Sequence, residues 1–251
     1  MPGVPSIPRH PISHPHHLEP YVSTSTNTAI LAGSVQAAPA NSKGFDANTT
    51  ITQAIAEDFY AQGYRFVVRY VGRTQMASHD LTAAEANTIL DAGLALMIVQ
   101  HVLDPGWSPT QSLGQEYGAN AAAFTKAIGV PAGVNVWCDL EGVSTSAQAS
   151  DVAAYCNAWA GEVSAAGYVP GLYIGWEPGL SGTQLYDLAF QHYWGAYNVD
   201  GSSTPWPRGF QLQQKVGSGG TIGGLTTQYY DDDDTETDNE GGTCLWLTRA
   251  A

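Results

Sequence analysis

From Lys43 onward the chain alternates short apolar runs with amphipathic segments that close on glycine, and that alternation leaves few folds open. Apolar runs begin near Gly44 (GFD), Arg65 (RFVVRYVG), Ala95 (ALMIVQHVL), Gly133 (GVNVWCDLE), Gly171 (GLYIGW), Tyr193 (YWGAYNV), Gly209 (GFQLQQKV) and Thr227 (TQYYDDDD). Between them the spacing predicts a helix over 50–62 that stops at Gly63. A second, over 82–92, starts on Thr82 and Glu85 as a capping box and stops at Gly93. Two longer Ala-rich helices are expected over 112–128 and 146–166, the latter stopping at Gly167. Later connections are shorter and hold a degenerate helix or none. Unbroken apolar strands such as FVV and LMIV suit a parallel sheet buried on both faces. Eight strands separated by helices favour a single (β/α)8 TIM-like barrel over an open doubly wound sheet.

Residues 1–41 have another texture and are expected to form an irregular arm, leaving 42–251 for the barrel. Seven prolines, at 2, 5, 8, 11, 15, 20 and 39, rule out regular helix, and the apolar residues show no period. The arm is therefore expected to stay out of the barrel core and to serve as a docking strap for a protein partner. It holds four histidines, at 10, 14, 16 and 17, which without a Cys or carboxylate framework read as solvated rather than metal-binding.

Charge narrows the partners. Nine Lys and Arg against 23 Asp and Glu give a net charge of −14, the wrong sign for nucleic acid or an anionic membrane surface. No apolar run reaches the roughly 18 residues a membrane span requires, and the start of the chain lacks the pattern of a secretory leader. Compartment stays open. Cys138, Cys156 and Cys244 are too widely spaced for a zinc pattern. With no Walker loop, no G-x-S-x-G and no H-E-x-x-H, and with GSGGTIGG at 217–224 failing dinucleotide spacing, neither cofactor nor metal is expected.

Barrel sites sit at the carboxyl ends of strands, so polar residues that end an apolar run carry the information. Two runs end in carboxylates: Asp46 after Gly44-Phe45, and Asp139 with Glu141 after Val134–Cys138. On a strand, i and i+2 share a face, which sets Asp139 and Glu141 side by side at about 7 Å. Paired carboxylates are the apparatus of glycoside cleavage. One keeps its proton for the leaving oxygen, and a neighbouring charge raises its pKa and stabilises the oxocarbenium ion.

The motifs GFD at 44–46, FVVRYVGR at 66–73, LTAAEANTILDAGLALMIVQ at 81–100 and VWCDLEG at 136–142 resemble one family. It is the glycoside-hydrolase-like domain of unknown function 1906, a barrel group similar to the glycoside hydrolase family 25 lysozymes. The resemblance implies hydrolysis of β-1,4 bonds in bacterial cell-wall polysaccharide, with Asp46, Asp139 and Glu141 as catalytic residues. Glu141 would be the general acid, Asp139 would orient the substrate's N-acetyl group or stabilise positive charge, and Asp46 would assist electrostatically. Whether the acetamido oxygen or a direct displacement acts as nucleophile stays open. A glycan-binding barrel without turnover, or a structural part of a phage-tail-like or secretion assembly, is the alternative.

Other strand ends supply flat aromatic faces and hydrogen-bonding groups suited to a sugar: Arg69, Tyr70, Gln100, Tyr173, Trp176, Trp194, Tyr197 and Gln211. Core packing competes for each, and Arg69 has a second competing role as ion-pair partner of Asp46 or Asp139. Residues 231–240 hold seven acids. The resemblance asks for one acid there, for which Asp231 is the candidate, and the surplus reads as a solvated acidic loop. Asn48 begins a glycosylation sequon, but two residues after Asp46 it is expected to line the cleft.

Overall fold

The computed structural model describes residues 29–217 and 220–249; the four arm histidines lie outside them. In chain order the elements are β1 (Ser34–Ala37), β2 (Lys43–Ala47), α1 (Gln53–Ala61), β3 (Phe66–Val71), α2 (Ala83–Asp91) and β4 (Ala95–Gln100). Then follow α3 (Gln111–Ile128), β5 (Asn135–Leu140), α4 (Ala149–Ala165), β6 (Val169–Ile174), α5 (Gly182–Tyr186) and β7 (His192–Gly195). β8 (Leu212–Lys215), β9 (Thr221–Ile222), β10 (Leu225–Thr226), β11 (Tyr230–Thr235) and β12 (Leu245–Thr248) complete the chain.

Each of the eight expected strands forms, and they close into a barrel in the order β2-β3-β4-β5-β6-β7-β8-β11, with β11 returning to β2. Threonine caps start the early helices: Thr52, Thr82 and Thr110 each accept the backbone N–H three residues on. The capping box at α2 is only half formed, because the Glu85 side chain turns away into the barrel wall. α5 is the short late helix foreseen, with a complete capping box of Ser181 and Gln184.

One strand runs against expectation. β2 to β8 pair in parallel, but β11 is antiparallel to both β8 and β2. A parallel return needs a crossover, usually a helix of a dozen residues or more. Between Lys215 and Tyr230 the described residues hold no helix, only the β9–β10 hairpin turning at Gly223 and Gly224, both at positive φ. The chain therefore comes straight back.

Strand alternation splits the core in two. Phe66, Val68, Met97, Val99, Trp137, Trp194 and Leu212 fill the barrel, whereas Val67, Leu96, Ile98, Val136, Cys138 and Leu172 pack outward under the helices. The Trp137 ring has room because residue 171 is glycine; a Cβ there would lie 2.2 Å from it. The end of the arm joins this core, contrary to expectation. β1 pairs antiparallel with β12, and β12 meets β4 at Leu247 and Leu96. Leu31 is buried in the outer layer, and Ala38 lies with Trp246 and Cys244 in the inner cluster. Proline spacing rules out helix but leaves the proline-free residues 29–38 able to pair as a strand.

Candidate functional site

The carboxyl ends of the parallel strands and the amino end of β11 form one mouth, where Asp46 on β2 lies opposite Asp231 on β11. The Asp46 carboxylate is buried at 4 % exposure and accepts from the Tyr70 hydroxyl (3.1 Å) and Gln214 Nε2 (3.1 Å). Burial, reinforced by the Asp231 charge, pushes its pKa up to about 7 against the pull of those hydrogen bonds. Asp139, inward on β5, is likewise buried, and its Oδ1 has no hydrogen-bond partner. Its pKa is raised well above the usual range by burial, then by Glu141 and Asp46.

Glu141 sits one step past β5, half-buried at the rim. It fits because residue 175 is glycine, where a Cβ would come 2.3 Å from its Oε2. Burial and then the Asp231 charge raise its pKa. Strand spacing assigned that second part to Asp139, but the more deeply buried Asp139 is itself pushed up by Glu141. The charge that helps Glu141 keep its proton comes from across the mouth.

Tyr173 stands among these acids, its hydroxyl raised by burial and then by Asp139, Glu141, Asp46 and Asp233. That hydroxyl donates to Gln214 Oε1 at 3.3 Å. Trp194 lies beside it, ring centroids 4.6 Å apart, and donates Nε1–H to Asp233 at 2.9 Å. Trp176 and Tyr197 are more than half exposed beyond β6 and β7. Asn48 lines a cavity of about 340 Å³ with Asp46, Tyr70, Tyr229, Tyr230 and Asp231.

Three expected sugar ligands are elsewhere. Arg69 points outward, fully buried, its Nε 2.7 Å from Glu85 Oε1, with further bonds to the Ala47 and His79 carbonyls. Its partner is thus neither Asp46 nor Asp139. Gln100 also faces out, bridging the Gly72 and Tyr117 carbonyls and accepting from Trp159 Nε1. Gln211 precedes β8 at the opposite end of the barrel, bonded to Tyr193 N, the Gln191 carbonyl and Asp238. All three are one residue out of phase with the inward face. Two inward residues escaped sequence reasoning, Gln214 and the fully buried Asp233; the phase of Leu212 on β8 and of Asp231 on β11 was the signal for each.

The acidic run is not a solvated loop. Asp232 points outward and accepts from the Tyr64 hydroxyl at 2.6 Å. Glu236 pairs with Lys215, while Asp238 and Glu240 share Arg208. Strand alternation and three ion pairs on two cations take up the charge, so only Asp231 and Asp233 face the barrel.

Among the described residues, one grouping has metal-ligand character: His79, Asp80 and His101, whose donor atoms all lie within 4.8 Å of one another.

A model of the Rv2525c-like, glycoside hydrolase-like domain matches residues 57–235. The chain belongs to that family. The matched span holds Asp139, Glu141 and Asp231, and Asp46 lies just before it. Among solved structures, the Tat-secreted protein Rv2525c of Mycobacterium tuberculosis, crystallised with L-tartrate, is similar at 14 % identity and a TM-score of 0.58. That match covers 77 % of this chain and 95 % of the other. A bacterial lysozyme from Streptomyces coelicolor is similar at 13 % identity and TM-score 0.52, over 81 % and 95 %. A muramidase from Trichobolus zukalii is similar at 14 % and 0.52, over 79 % and 95 %. These likenesses establish the barrel that the family shares with lysozymes and muramidases. No curated protein matches the sequence.

Proposed function

We propose that the chain is a muramidase-like hydrolase of β-1,4 glycosidic bonds in bacterial cell-wall glycan, with Glu141 as general acid. One observation carries this: Glu141 stands at the rim beside the buried Asp139 of the same strand, with its pKa raised, where a glycosidic oxygen can reach it. Its proton goes to the leaving oxygen as the anomeric C–O bond breaks. Asp139 lies beside it, from the same strand face, rather than across the sugar ring. The unpartnered Oδ1 of Asp139 suits the substrate's acetamido N–H, which turns the acetamido oxygen toward the anomeric carbon as nucleophile. Water then opens that intermediate, losing its proton to the Glu141 carboxylate. Asp46, in its ionised form, supplies negative charge toward the developing oxocarbenium ion. Trp176 and Tyr197 offer exposed faces for neighbouring sugars. The lysozyme and muramidase of the same fold support the choice of polymer.

The test is Glu141→Gln, which keeps size and hydrogen bonding but not the transferable proton. Release of reducing ends from purified cell wall should fall by about 10²–10⁴-fold, the usual weight of a general acid. Sedimentation with the wall should persist. Unchanged release in the mutant would remove Glu141 from the role.

A further inference from the structure

β3 leaves the mouth through residues 72–82 before α2 begins, and this loop is held firmly at its far end. The Arg69 guanidinium grips the His79 carbonyl, Leu81 N donates to the Tyr70 carbonyl, and Asp80 Oδ2 accepts from Ala77 N at 2.7 Å. That leaves Asp80 Oδ1 pointing at two imidazoles: His101 Nε2 at 2.7 Å and His79 Nε2 at 3.9 Å. His101 directly follows β4 on its inward phase, and its ring stacks on Tyr70 with centroids 4.7 Å apart.

The Asp80 side chain is fully buried, yet among the described residues its ion-pair partners are only these histidines. A buried carboxylate without a permanent cation is costly. The three groups open onto a polar cavity of about 400 Å³ that Asn48 shares with the carboxylate cleft. Asp104 and Arg73 also line it; the Arg73 guanidinium is turned onto the Val102 carbonyl.

We propose that His79, Asp80 and His101 form a three-ligand site for a divalent transition-metal ion of the zinc class, with a fourth position open to the cavity. Two imidazoles and one carboxylate form a donor set such ions favour, and three protein ligands leave room for water. Metal–ligand bonds of about 2.1 Å at tetrahedral angles place donors about 3.4 Å apart. From 2.7 Å the Asp80–His101 contact would open by about 0.7 Å and from 3.9 Å the His79–Asp80 contact would close by about 0.5 Å, while the two imidazoles, within 4.8 Å of each other, would draw to the same spacing. The ion would tie the β3–α2 loop to the end of β4 and set a Lewis acid beside Tyr70, whose hydroxyl bonds Asp46.

The test uses the full chain with His10, His14, His16 and His17 changed to Ala, so that the arm adds no zinc of its own. After loading with zinc chloride and dialysis against metal-free buffer, atomic emission should find one zinc per chain. Zinc should also raise Tm, since it binds the folded state alone. His79→Asn alters an exposed ring, and His101→Gln keeps an N–H for Asp80. Each should retain the Tm that the parent shows in EDTA, while zinc retention falls by more than the about 10–100-fold that loss of a supporting partner costs. No zinc retained by the parent, or retention unaffected by His79→Asn, would overturn the assignment. If His101→Gln fails to fold, His79→Asn decides alone.

Discussion

At the scale of single residues, the upward shift of the Glu141 pKa rests on two physical causes, removal from water and the negative charge of Asp231 across the mouth. Removing a like charge lets Glu141 ionise more readily, so Asp231→Asn should move the alkaline limb of the activity profile to lower pH. Asp139→Asn should leave that limb nearly in place, because burial and Asp231 raise the Glu141 pKa, whereas Asp139 is itself pushed up by Glu141. A pH–rate series on the two variants checks both, and a shift in Asp139→Asn alone would reverse the assignment.

At the scale of strands, which carboxylates gather at the barrel mouth was legible and the facing of their neighbours was not. Asp46, Asp139 and Glu141 end apolar runs and could be found by that alone. Arg69, Gln100 and Gln211 end or begin similar runs, but a one-residue change of phase moves a side chain to the other face. In strands buried on both sides, hydrophobicity does not alternate, so FVVRYV gives no sign whether Arg69 or Tyr70 points inward. The answer came from α2, where Glu85 supplies the charge that lets Arg69 be buried outward. Arg69→Ala would strand that carboxylate in the wall and should cost about 3–5 kcal/mol in chemical denaturation. The substrate KM of the folded fraction should not change, whereas a cleft residue would raise it.

At the scale of the whole molecule, the barrel was readable because each strand and helix is short, locally punctuated and followed by its spatial neighbour. The reversal of β11 and the docking of β1 were not readable, since both depend on what a connection lacks or on partners more than 200 residues away. β1, β12 and Leu31 brace the barrel, so Leu31→Ala should destabilise it by about 2–4 kcal/mol. By calorimetry Tm should fall by roughly 5–15 °C. A Tm within a degree of the wild type would show that residues 29–41 carry no share of the fold's stability.

The central claim is that this mouth cuts a glycan strand, and the most direct measurement is the identity of the chain end it creates. Purified bacterial cell wall is incubated with the wild-type protein, then reduced with borohydride, hydrolysed, and its sugar alcohols separated by mass. The account predicts new ends that appear as muramitol. No new reducing ends, with the protein still sedimenting with the wall, would contradict it and leave a barrel that binds glycan without cutting it.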